Sequence, residues 1–347
     1  MNESNAIKPN SVYTFTKSVT PLKDLLPLSM PLAVHIDPSN ICNFECKFCP
    51  TGNHELLRTV ARPKGFMEYA LFCKIIDDLV DMSLSTGSKL KRLHLYKDGE
   101  PLLNKRLYEM ISYAKEKMIS ESVEITTNGS PLTKQNSINL IRSGLDAIRI
   151  SVEHVTNEGY KRLVRTYSDY ERIVKNVEFL YKNKSGSGLK IHVKIIDIGL
   201  TDEEIAKFIS DFSEISDSIN IDKPMGWSAS NMADWQLGMT VTTAMDGVTP
   251  LAKKSVCPEV FSKLAINFDG TVSICCVDWS HGTVVGDVKI SNLIQIWNGS
   301  ILRDFRLLHL NGKRNTVSVC ADCQYLDGLP EYSILDEEVE RLRKFYV

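Results

Sequence analysis

The sequence predicts an α/β fold in which six strand–helix units surround a parallel sheet and a smaller cysteine-bearing module with a β-hairpin follows. Three observations predict it. From Leu32 to about Asp222, short β-branched runs alternate with amphipathic helical stretches, the pattern of a parallel sheet wrapped by helices. From Lys223 to Ser255 that rhythm stops, in a stretch rich in Met, Trp, Ser and Gly without clear periodicity. Beyond it, two alternating runs, Leu264–Phe268 and Thr271–Cys275, flank Asp269-Gly270, a strong hairpin signal.

The predicted strands are Ala33–Ile36, Arg92–Leu95, Ser122–Thr126, Ala147–Ser151, Lys190–Ile196 and Ser218–Ile221. Helices are expected near Met67–Met82, Lys105–Lys117, Lys134–Ser143, Tyr170–Lys182 and Asp202–Phe212, joined by polar or Gly-containing loops of ordinary length. A terminal helix is expected over Ser333–Tyr346, with Glu337, Glu338, Glu340, Arg341, Arg343 and Lys344 on its solvated side. The chain thus divides into an N-terminal extension (1–31), the strand–helix region (32–222), a connector (223–255), the cysteine-bearing module (256–330) and the C-terminal helix (331–347).

Composition narrows the functional classes. With 347 residues, 43% hydrophobic, 24% charged and a formal net charge of -2, the chain is an ordinary globular protein with no electrostatic footprint for nucleic acid or an anionic membrane. The segment Met1–Ser11 lacks the apolar run of a signal peptide, and no stretch approaches the length of a membrane span, so a cytoplasmic location is expected. In that compartment the nine cysteines read first as metal ligands rather than disulfides. Eight of them cluster, as Cys42, Cys46 and Cys49 and then Cys257, Cys275, Cys276, Cys320 and Cys323. Cys73 stands alone in an apolar helical pattern and reads as a small buried hydrophobe.

Cys42, Cys46 and Cys49 lie directly after the first predicted strand, at the carboxyl edge where parallel sheets build their sites. Three thiolates bind three corners of a cubane cluster and leave one iron open to a cofactor or substrate. Spacing alone also allows zinc, with His54 as a fourth ligand. The triplet, with the aromatic Phe48 before its last cysteine, resembles the signature of the radical S-adenosylmethionine superfamily, and the resemblance extends over about Leu32 to Asp222.

The resemblance implies a partial (β/α)6 barrel holding a 4Fe–4S cluster and S-adenosylmethionine, which is cleaved reductively to a hydrogen-abstracting 5′-deoxyadenosyl radical. It also implies a flavodoxin- or ferredoxin-like electron donor. Asp98-Gly99-Glu100-Pro101 looks like the superfamily's Gly-Gly-Glu element with Asp98 in place of the first glycine, so that Glu100 would accept from the amino group of the cofactor. Thr127 and Asn128, within Thr126-Thr127-Asn128-Gly129, and Ser151 match cofactor-contacting positions. Arg165, with Arg162 as competitor, matches an arginine near the cofactor's carboxylate.

Downstream, Cys257, Cys275, Cys320 and Cys323 supply four thiolates, enough for a second cubane or one zinc ion. Their setting, from Cys257-Pro258 through Asn267–Cys276, Gly286-Asp287 and Ile296-Trp297 to Cys320-Ala321-Asp322-Cys323, resembles the SPASM/twitch extension, which implies one auxiliary 4Fe–4S cluster. Cys275 and Cys276 are adjacent, and strand neighbours point to opposite faces, so one is spare. By the family pattern Cys275 ligates. Cys276 is then an apolar filler or a catalytic hydrogen-atom donor.

Substrate candidates are small sugar- or polyol-like molecules, oxidised or epimerised, and peptides modified by a maturase. About thirty residues precede the first strand, few for a leader-binding domain, which favours the small molecule. Trp227, Trp235, Met225 and Met232 are candidates for lining the pocket or for packing between domains. A non-catalytic iron–sulfur or zinc protein is the remaining alternative, and it has no use for Glu100 and Ser151.

Overall fold

The computed structural model describes residues 20–229 and 232–347. All six expected strands are present, as β1 (Ala33–Ile36), β2 (Arg92–His94), β3 (Val123–Thr127), β4 (Ala147–Val152), β5 (Lys190–Ile196) and β6 (Ser218–Asp222). Each pairs in parallel with its sequence neighbour. The helices Tyr69–Thr86, Leu107–Lys117, Lys134–Arg142, Tyr170–Asn183 and Asp202–Phe212 connect them.

Local chemistry sets the helix boundaries. Thr201 and Glu204 form a capping box before Asp202–Phe212, and the Thr133 and Asp169 side chains cap Lys134–Arg142 and Tyr170–Asn183. Tyr69–Thr86 runs four residues past its expected end and stops at Gly87, whose φ of 67° is the left-handed conformation glycine adopts most cheaply. The buried Phe72, Ile75, Ile76, Leu79 and Met82 of that helix follow the helical period and pack into the core.

The strand register sorts residues onto two faces. One face carries Val34, Leu93, Val123, Ile148, Ile191 and their alternates, which join the helices in one apolar core. The other pairs His35 with His94 and His94 with Glu124, then Thr126 with Arg149 and Arg149 with His192, and finally Ser151 with Lys194 and Lys194 with Asn220. This second, inner face is therefore polar on every strand. Parallel strands covered on both sides by a dry core read as continuous apolar runs; strict alternation here marks a polar lumen.

The hairpin is present as β7 (Lys263–Ile266) and β8 (Thr271–Ser273), with Gly270 at φ 90° in the turn. It is joined to the barrel: β7 pairs in parallel with β1, from Ala33 with Lys263 to Ile36 with Ile266. An unanticipated β9 (Val284–Asp287) pairs antiparallel with β8. The result is one nine-stranded sheet in the order β6-β5-β4-β3-β2-β1-β7-β8-β9.

Other differences have local causes. The strand expected to reach Cys275 ends at Ser273, so Cys275 and Cys276 sit in a turn and strand alternation does not govern them. The terminal helix begins at Val339 rather than Ser333, after short 3-10 turns at Glu331–Ser333 and Asp336–Glu338. Helices Asn157–Val164 and Ser300–Leu310 were not foreseen. Among the described residues, no helix is long and apolar enough to cross a membrane.

Candidate active site

The triplet occupies the loop after β1. Cys49 N–H donates to the Cys46 carbonyl at 3.2 Å and Gly52 N–H to the Cys49 carbonyl at 3.0 Å, winding the loop on itself. Gly52 is required for this, because a Cβ there would meet the Cys46 backbone at 2.5 Å. Glu45 and Lys47 N–H groups donate to the carbonyls of Val164 and Leu163, tying the loop to the helix before Arg165. Burial pushes the Cys42 thiol up to about 12 and raises Cys46 and Cys49 as well. Thiolates are the ligand form, so this buried loop demands the positive charge that iron brings.

Spacing separates cluster from zinc. Tetrahedral zinc at about 2.3 Å from each sulfur draws its ligands to roughly 4 Å of one another. Among the described residues, the one trio of His, Cys, Asp or Glu ligand atoms lying within 4.8 Å of one another is Glu259, Cys275 and Cys276. The triplet's three sulfurs do not all lie that close to one another, a spacing that cubane corners accommodate. His54 is half-exposed and stands 3.7 Å from Glu45 rather than completing a site.

Glu100 is no solvated turn residue. It is 2% exposed, and its Oε1 accepts from Leu102 N–H at 3.0 Å and from Thr127 Oγ1 at 2.8 Å. Its Oε2 accepts from Asn128 N–H at 2.8 Å. A carboxylate has about four lone-pair sites, so one acceptor position remains for a cofactor ammonium. Burial lifts its carboxyl to about 7 against those three donors. Gly99 lets this loop approach the triplet: a Cβ would meet the Ser39 and Ile41 carbonyls at 2.2 and 2.5 Å.

Thr127 also accepts from Gly129 N–H at 3.2 Å. Asn128 turns toward the cysteine loop, its Nδ2 donating to Asn43 Oδ1 at 3.0 Å and reaching Cys42 Sγ at 3.9 Å. Ser151 lies half-buried near the end of β4. Arg165 is exposed in a left-handed conformation at the end of Asn157–Val164, one residue beyond the contact with the cysteine loop. Arg162 faces His154 Nε2 at 3.2 Å instead. The Phe48 carbonyl accepts from Trp227 Nε1 at 3.0 Å. Trp235 packs with Trp279, Leu56 and Leu57, while Met232 is largely exposed.

Sequence reading missed a buried charge network beside the motif. Asp98 Oδ2 meets Lys97 Nζ at 2.6 Å, His281 Nε2 at 3.0 Å and Arg62 Nη1 at 3.1 Å, with both the Arg62 and Asp98 side chains buried. Lys97 also donates to the Asp278 carbonyl and Arg62 to that of Trp279. Asp98, where the resembled motif has its first glycine, thus bolts the Glu100 loop to the turn after β8. Against the cost of burial, the Lys97 charge leads in holding Asp98 down at about 2.

Next to it, Asp37 is fully buried and neither of its oxygens has a partner of normal hydrogen-bond geometry; burial and the Asp98 charge lift it to about 7. Arg62 Nε and Nη2 and Glu153 Oε2 are likewise buried without partners. Burial lifts Glu153 to about 7. Within the lumen, His35 stacks on His94 at 4.3 Å, and Arg149 reaches Tyr96 at 3.2 Å and Glu124 at 2.7 Å. The available signal was the alternation of polar residues along His35-Ile36-Asp37, His94-Leu95-Tyr96 and Arg149-Ile150-Ser151.

The four cysteines of the second set converge on one space. Cys257, Cys275, Cys320 and Cys323 line one cavity, with Ser228, His309 and Arg314 among its other walls. Burial raises the Cys257, Cys320 and Cys323 thiols, Cys320 to about 12, while at Cys275 the contact with Cys276 leads the rise and burial adds to it. Four thiolates around one space fit a fully ligated cluster. Cys276 does not line that cavity; its Sγ is 3.8 Å from Glu259 Oε2, and Glu259 is paired with Lys263 at 2.7 Å.

Comparison with known proteins agrees with this geometry. The Radical SAM superfamily model matches residues 36–212, just over half the chain, and the SPASM iron–sulfur cluster-binding domain matches residues 257–324. A GTP 3',8-cyclase of Staphylococcus haemolyticus is 24% identical over 237 residues, 67% of this chain and 66% of that protein. One from Clostridium acetobutylicum is 24% identical over 55% of this chain and 52% of its own length. The chain thus spans about half to two thirds of these relatives.

Among solved structures, BtrN in complex with AdoMet and 2-DOIA shares the fold at a TM-score of 0.55 and 17% identity, covering 85% of this chain and 93% of BtrN. Streptococcus suis SuiB bound to its precursor peptide SuiA does so at 0.62 and 14%, covering 92% and 77%. The chain belongs to the radical SAM superfamily and carries a SPASM iron–sulfur domain behind its barrel.

Proposed function

We propose that this enzyme takes a hydrogen atom from a carbinol carbon of a small sugar- or polyol-like substrate and oxidises it. When bound, S-adenosylmethionine and the two clusters supply a hydrogen-abstracting radical and a sink for the electron that oxidation releases. Cys42, Cys46 and Cys49 would hold the first cluster, and Glu100, with Ser151 and Arg165, the cofactor's amino and carboxylate groups.

The observation that carries the substrate class is the polar inner face, together with buried hydrogen-bonding atoms that lack protein partners. Asp37, Arg62 and Glu153 offer acceptors and donors to a ligand that brings many hydroxyls. An apolar substrate would leave them unpaired at about 1–3 kcal/mol each. In this reading Asp37 holds a substrate hydroxyl and takes its proton as the carbon becomes a carbonyl. Its carboxyl, lifted to about 7, is poised to do so near neutral pH.

Epimerisation would require a thiol such as Cys276 to return a hydrogen atom, and deuterium from heavy water in the product, lost in Cys276→Ala, would reveal it. The peptide alternative draws on the fold shared with SuiB bound to SuiA. The test is transfer of label: carbon-deuterated polyols, amino sugars and peptides are incubated with the reduced enzyme and 5′-deoxyadenosine is analysed. Deuterium arriving from the polyol or amino sugar supports the proposal; deuterium only from a peptide refutes it.

A further inference from the structure

We propose that His309 donates a hydrogen bond from Nε2 into the auxiliary cluster and thereby holds up its reduction potential. His309 is 1% exposed on the helix Ser300–Leu310 and lines the same cavity as the four downstream cysteines. Its Nδ1 accepts from the backbone N–H of Cys257 at 3.4 Å. An acceptor nitrogen carries no proton, so the ring's proton sits on Nε2. That nitrogen is buried and has no partner within the protein.

The hydroxyls of Ser228 and Thr283 on the cavity wall are committed elsewhere. Ser228 Oγ donates to the Val277 carbonyl and Thr283 Oγ1 to Asp278 Oδ2, while Arg314 Nη1 holds the Cys320 carbonyl at the edge of the site. With four thiolates already ligating, His309 is not needed as a ligand. Its N–H is available to the sulfur atoms of the cluster. A donor pointed at cluster sulfur stabilises the reduced form, which carries one more negative charge, more than the oxidised form. The cluster therefore accepts an electron more readily. This role is independent of which substrate the barrel takes.

The test is an anaerobic redox titration of holoenzyme followed by electron paramagnetic resonance, with Cys46→Ala used to assign the auxiliary signal. His309→Phe should lower the auxiliary midpoint potential, His309→Gln should restore part of it through its amide donor, and the first cluster should not move. Iron content should stay near wild type in both, which separates tuning from mere packing. Pulsed measurements on wild-type protein labelled with 15N-histidine need no variant to fold; they should show a weak nitrogen coupling to the reduced auxiliary cluster. Unchanged potentials in both variants with clusters intact would overturn the proposal. So would the absence of any nitrogen coupling, or a coupling of ligand strength.

Discussion

The two cysteine sites are built in opposite ways. The first draws its three cysteines from one loop, Cys42 to Cys49, and relies on other strands to brace it: Asn128 from the end of β3, and Glu100 from the loop after β2. The second gathers Cys257, Cys275, Cys320 and Cys323 from three distant segments around one cavity. Three ligands leave a cluster corner open for a cofactor; four close it. Under the proposed function this difference corresponds to a division of labour, with reactivity at the locally built site and electron storage at the site that only the finished fold assembles. The Asp98 network physically links them.

The sharpest way to break this comparison is to remove one site at a time. Cys46→Ala should abolish 5′-deoxyadenosine formation and lower iron from about eight to about four per chain. The double variant Cys320→Ala, Cys323→Ala should lose a similar amount of iron yet still cleave the cofactor, while product formation fails. Iron analysis and chromatography of the nucleoside check both. Cofactor cleavage lost equally in the two would erase the distinction.

Next in size is the link between the sites. Asp98→Asn leaves Arg62 and Lys97 buried without their carboxylate, and breaking a buried pair of this kind costs about 3–5 kcal/mol. Denaturant unfolding of the apo protein should show that loss, with His281→Ala costing much less.

Glu100→Gln should weaken S-adenosylmethionine binding by roughly ten- to a hundredfold, the worth of one charge-assisted hydrogen bond. Titration calorimetry on reconstituted protein measures it, and both clusters should remain.

The smallest effect concerns Asp37 and has a defined sign with pH. Its folded carboxyl is raised from 3.8 to about 7, so the fold prefers the neutral form. Its contribution to stability is therefore favourable at low pH, declines as pH climbs from about 4 towards 7, and is level above that. Asp37→Asn should flatten this slope and raise Tm at pH 8 by roughly 1–2 °C, about 1 kcal/mol for a chain of this size, while slowing turnover. A variant that loses as much stability between pH 5 and pH 8 as the wild type does would contradict the assignment.

How much was legible in the sequence follows from distance along the chain. The triplet, the Glu100 motif and five of the connecting helices were readable because each depends on residues a few positions apart. The four downstream cysteines were singled out by the resemblance of their surroundings to the SPASM/twitch extension, whereas the fate of Cys276 was not legible, since it depends on where β8 ends and on Glu259. The Asp98 network was illegible: its contact with His281 spans 183 residues and the Arg62 contact with Trp279 spans 217. The polar lumen lay between. Its alternation is printed in every strand, but only the register shows that His35, His94 and Glu124 share one face.

The most direct test of the account is the origin of the hydrogen atom found in 5′-deoxyadenosine. With reduced, fully reconstituted enzyme and carbon-deuterated polyols or amino sugars, the account predicts deuterium in the nucleoside and one carbonyl in the organic product per label transferred. Nucleoside carrying label only from peptide substrates, or carbonyl formed without label transfer, would contradict it.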